Sequence, residues 1–71
     1  MARRFIPLAE VAEILDVSAA QAYALVRSGD LPAIKVGGRG QWRVEVDELE
    51  NYIQRMYAET KALMESQHGE P

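Results

Sequence analysis

The chain has 71 residues and no cysteine, with 48% hydrophobic and 27% charged residues and a formal net charge of −3. That length holds one small domain, and the missing thiols exclude a disulfide staple, a cysteine zinc site and a thiol nucleophile. No apolar run is long enough to span a bilayer and no signal-peptide core follows the basic opening Met1–Phe5, so a cytoplasmic globular protein is expected.

The charge is unevenly spread. Residues 1–43 hold six cations against four carboxylates, a net +2, and residues 44–71 hold two cations against seven carboxylates, a net −5. The acidic total argues against a polyanionic partner, but the basic front half leaves room for one.

Residues 7–15 open the series of elements. Leu8, Val11, Ala12 and Leu15 recur at helical spacing. Pro7 suits a first turn that does not need its N–H, and Glu10 lies where the helix dipole favours an anion. The pattern stops at Asp16-Val17.

A second helix is predicted over about 19–28. Ser18 and Gln21 fit the S-x-x-Q capping box, Ala22, Leu25 and Val26 form an inward stripe, and Gly29 is placed for a left-handed C-terminal cap. Only residues 16–18 separate the two helices. A turn that short makes them cross steeply, as in a helix-turn-helix.

The period then changes. Ile34 and Val36 alternate with Lys35, Trp42 and Val44 alternate with Gln41 and Arg43, and Gly37, Gly38 and Gly40 lie between. This predicts a β-hairpin over about 34–44. Its apolar set, Trp42 included, is expected on the core face, with Lys35, Gln41 and Arg43 on the other.

From Asp47 the chain reads as helix again, to about residue 65. Asp47 and Glu50 form a plausible capping pair. Leu49, Tyr52, Ile53, Met56, Thr60, Leu63 and Met64 follow one stripe. The expected organisation is one domain over 1–66 and a flexible tail over 67–71. The fold class is mainly α with a small β-hairpin, a winged helix-turn-helix.

In such a frame the second helix enters a major groove and the hairpin meets the adjacent backbone. The residues predicted to touch DNA are Ser18, Ala19, Ala20, Gln21, Tyr23 and Arg27 from the second helix, and Lys35, Arg39, Gln41 and Arg43 from the wing. Several have a second reading. Gln21 and Ser18 cap their own helix, Arg27 complements the helix dipole, and wing cations also keep a hairpin soluble. Trp42 is expected in the core, with stacking on a base as its alternative. Arg3 and Arg4 are either a basic arm or a loose end.

Several segments resemble a known family, the small excisionase-type, MerR-like winged helix-turn-helix domains of bacteria. They are the run from Leu8 to Leu15, Val17-Ser18, the run from Ala22 to Gly37, Arg43, and Asp47-Glu48-Leu49. The resemblance covers roughly residues 5–55 and is most specific from Tyr23 to Gly37. It implies double-stranded DNA as partner, with the second helix in the major groove and the wing on the backbone or in the minor groove, and a role in transcription regulation or as an accessory factor in site-specific recombination. Asp16 stands where the family has a turn glycine, and aspartate tolerates the left-handed region that the turn needs. Ala19, Ala20 and Ala24 stand where polar side chains are common. Alanine can touch a thymine methyl but makes no bidentate hydrogen bond to a base.

No nucleophile, base and orienting group assemble into a catalytic set, the glycine-rich run lacks the Lys-Ser/Thr ending of a phosphate-binding loop, and His68 has no partner at metal-ligand spacing. No enzymatic activity, cofactor or metal is expected. Self-association on DNA through residues 48–65 is the remaining expectation, and its rival is a protein-interaction module built on the same acidic helix.

Overall fold

The computed structural model describes residues 4–68, in the order β1 (Phe5–Pro7), α1 (Leu8–Leu15), α2 (Ala19–Ser28), β2 (Ile34–Val36), β3 (Gln41–Glu45) and α3 (Val46–His68). Each predicted element is present. β1 was not predicted. Arg3 lies outside the described residues, as do 69–71.

The turn between α1 and α2 forms from local chemistry. Asp16 takes the left-handed conformation at φ 57°, ψ 49°, as its identity allowed. The Val17 N–H then donates to the Ala12 carbonyl at 3.0 Å. Ser18 closes the predicted capping box: the Gln21 N–H donates to Ser18 Oγ at 3.1 Å and the Ser18 N–H donates to Gln21 Oε1 at 3.0 Å. Gly29 ends α2 in the left-handed region. Val11 and Ala12 of α1 face Ala22 and Val26 of α2 in the buried set.

The sheet is antiparallel in the order β1-β3-β2. β1 exists because of a distant partner: Ile6 pairs with Val44, and both are buried. The Arg4 carbonyl accepts from the Val46 N–H at 2.7 Å, and Arg4 Nε meets Glu45 Oε2 at 2.6 Å. Arg4 is therefore tied to the sheet at its backbone and its side chain.

The hairpin corrects the expected facing. Ile34 pairs with Arg43, Lys35 with Trp42 and Val36 with Gln41. Directly opposed residues share a face of a sheet, so Lys35 joins Trp42, while Ile34 and Val36 join Gln41 and Arg43. The cause is the turn. Gly37 and Gly40 both have positive φ, and the Gly40 N–H donates to the Gly37 carbonyl at 3.1 Å. That turn fixes an even number of loop residues, 37–40, between the strands. The two apolar alternations are therefore out of phase across it. Ile34 and Val36 are each 48% exposed.

The core is Ile6, Val11, Val26, Leu31, Val44 and Leu49, with Leu8, Leu15, Leu25, Ala33, Trp42, Tyr52 and Ile53 packed around it. Trp42 is half-buried, anchored on the core as expected but with part of its ring open.

α3 starts at Val46 directly from β3, so Asp47 lies in its first turn and is not its cap. Arg55 Nη2 donates to the Asp30 carbonyl at 2.6 Å, which pins α3 to the segment after α2. The helix runs to His68, so residues 67 and 68, expected in a flexible tail, have helical backbone. Its later turns pass beyond the core, and the described chain measures 56 Å along its longest axis.

Candidate nucleic-acid interface

α2 divides cleanly into two faces. Ala22 and Val26 are buried, while Ala19, Ala20, Gln21, Tyr23, Ala24 and Arg27 are exposed. The helical period sets this division, because the inward stripe fixes which residues point away from it. The outer face is low and mostly apolar over its first turns and becomes cationic at Arg27. Arg27 is not loose: its guanidinium lies 5.7 Å from the centroid of the Tyr23 ring, within cation–π range. Tyr23 therefore braces the cation one turn ahead of it.

Gln21 is engaged in the capping box, so its oxygen is committed to the backbone of Ser18. The same box leaves Ser18 at the start of α2, where N–H groups and the dipole favour an anion.

The wing cations divide by face. Arg39 stands exposed at the tip. Lys35 shares the face of Trp42, with Nζ 5.1 Å from the ring centroid. That is also the face from which Ile6 and Val44 enter the core that Val11 of α1, Val26 of α2 and Leu49 of α3 share, so it is the helix side of the sheet. Arg43 lies on the opposite face beside Ile34. It folds back on its own strand, donating from Nη1 to the Trp42 carbonyl at 2.8 Å and from Nη2 to Gln41 Oε1 at 3.1 Å. The ten predicted residues thus divide by element and by face. Ser18, Ala19, Ala20, Gln21, Tyr23 and Arg27 lie on α2 with Lys35 on the helix side of the sheet and Arg39 at the tip. Gln41 and Arg43 are bonded to each other on the far side.

Sequence reasoning missed the closeness of Lys35 to Trp42. The parity of the loop carried that signal, but only once both strand ends were known. The (i, i+4) spacing of Tyr23 and Arg27 already offers packing against the Arg27 stem as one reading of Tyr23, with a phosphate bond as the other, and the ring contact agrees with the first.

Among the described residues no helix is long and apolar enough to cross a membrane. No curated protein and no solved structure matches the chain significantly. Residues 8–57 do match a protein family described as a helix-turn-helix domain. The match runs from the first residue of α1 into α3, so it takes in the capped turn, the exposed face of α2 and the wing. It supports DNA binding through the helix-turn-helix. On that match and this geometry, the chain belongs to the helix-turn-helix domain family, in the small excisionase-type form that its sequence resembles.

Proposed function

We propose that the chain is a transcription regulator that binds double-stranded DNA with α2 in the major groove and the wing on the adjacent backbone. The observation that carries this reading is the exposed face of α2, which ends in the Tyr23-braced Arg27. Ala19, Ala20 and Ala24 let the helix lie deep in a groove and meet thymine methyls. Ser18, Arg27, Lys35 and Arg39 supply phosphate contacts. Gln21 holds the helix start, and Gln41 and Arg43 stiffen the wing, reaching the backbone only from its far side. The same docking suits an architectural factor in recombination. A reporter placed beside the bound site separates the two roles. We place the protein in the cytoplasm, on the nucleoid.

Selection from a random duplex pool tests the reading, followed by a salt titration on the enriched site. Phosphate contacts make log K fall with log [salt] by about 0.9 per contact on duplex DNA, so three or four contacts give a slope near −3. A pool that yields no enriched sequence, with a slope near zero, sinks the DNA reading and favours the rival interaction module.

A second observation adds self-association. The apolar stripe of α3 continues past the core, leaving Tyr57 71%, Leu63 56% and Met64 46% exposed. Before it lies an open apolar cleft of about 260 Å³ lined by Leu15, Tyr52, Ile53, Met56, Tyr57 and Thr60. One small module buries only about 600–1,000 Å² on DNA, so contacts between neighbouring copies would raise selectivity. Leu63→Glu is expected to leave binding to one site unchanged and to abolish steep occupancy of multi-site DNA. Superimposable titrations of variant and parent on multi-site DNA reject the assembly role.

A further inference from the structure

Lys35 and Trp42 are directly opposed across the hairpin, which puts their side chains side by side on one face. Lys35 is exposed, and no ion pair holds it among the described residues. Yet its ammonium is held 5.1 Å from the indole centroid, and its stem runs close over the turn. A Cβ added at Gly40 would lie 3.4 Å from Lys35 Cδ. The ring beneath is itself held, because Trp42 packs on the core. A long, flexible cation is thus laid along a fixed aromatic plate on the helix side of the sheet, the side that also carries α2. Its counterpart on the far face, Arg43, is bonded to its own strand through two of its five donors.

We infer that Trp42 is a positioning residue for DNA binding, and that it acts through Lys35 by holding the ammonium where the phosphate backbone beside α2 will lie. The inference rests on the DNA-binding reading and adds to it which wing face is used. A free lysine loses most of its rotamer freedom when it grips a phosphate. One already lying on an indole has lost part of that freedom before DNA arrives, so less is lost on binding. The interaction with the ring does not compete with the phosphate. The ring faces one side of the ammonium, and three N–H donors leave others open to an anion.

A double-mutant cycle on the full chain tests this. The DNA affinities of parent, Lys35→Met, Trp42→Leu and the double variant are measured by fluorescence anisotropy. Trp42→Leu is expected to weaken binding about 2- to 5-fold, the size of an exposed cation–π contact, and to have no effect once Lys35 is methionine. An equal loss in both backgrounds would mean that Trp42 supports only the fold, and the inference falls. Should Trp42→Leu not fold, tryptophan emission decides with Trp42 intact. Saturating DNA changes that emission in the parent and leaves it unchanged in Lys35→Met, whereas an unchanged parent signal overturns the inference. If the parent binds no duplex at any salt, the DNA reading itself has failed. If it binds without coupling, only the role of Trp42 is lost.

Discussion

Ala20→Glu is expected to abolish DNA binding at moderate salt while leaving the domain folded. Ala20 is exposed in the first turn of α2, where a carboxylate improves the helix through its dipole. In the proposed docking the same carboxylate would face the groove and its flanking phosphates. Like charges brought together at an interface cost several kcal/mol, and each 1.4 kcal/mol is about tenfold, so a loss of about 100-fold or more is expected. Ala20→Lys is the control of opposite sign: tighter binding and a steeper salt slope. Circular dichroism and anisotropy together check the pair. Full binding by Ala20→Glu would remove α2 from the groove.

The largest stability effect is expected at Leu31. It follows the Gly29 cap, donates its N–H to the Leu25 carbonyl at 3.1 Å and is fully buried. A Leu→Ala change at such a site costs about 2–5 kcal/mol, against roughly 0.05–0.15 kcal/mol of stability per residue for a whole domain. Over 71 residues that is about 4–11 kcal/mol, so Leu31→Ala should remove a large share of the stability and lower the melting temperature steeply. Ile34→Ala removes a similar apolar side chain only three residues on and should cost far less, because Ile34 is half-exposed on the outer face of the sheet. Thermal melts of the two variants check the core and the hairpin register at once. Equal losses would put Ile34 back in the core, where the sequence alone had placed it.

The helix-turn-helix was legible in the sequence because each of its signals is local. Ser18 and Gln21 are three residues apart, Asp16 needs only its own φ, and Gly29 only its own position. The family match over residues 8–57 covers the same stretch. What escaped depends on distant partners. β1 is three residues long and carries no alternation of its own. It is a strand because Ile6 finds Val44. The facing of β2 was misread because each strand alternates correctly by itself, and only the 37–40 turn decides how the two alternations combine. The start of α3 was placed late because Asp47 looks like a cap, whereas Val46 is already helical through the strand that feeds it. In the candidate site, residue types picked out α2 and the wing, but not that Lys35 and Arg43 lie on opposite faces of the hairpin.

The strand order β1-β3-β2 leaves two free edges on a sheet whose outer face exposes Phe5, Ile34 and Val36. An apolar sheet with open edges invites strand addition from another molecule, the first step of aggregation. Both edges carry a block. β1 ends in Pro7, which has no N–H to offer an incoming strand. β2 is only three residues long, and at its centre is Lys35, a charge turned toward the helix side of the sheet. Replacing that lysine with a neutral residue removes the charge that guards the edge, so Lys35 bears on solubility independently of the phosphate contact proposed for it.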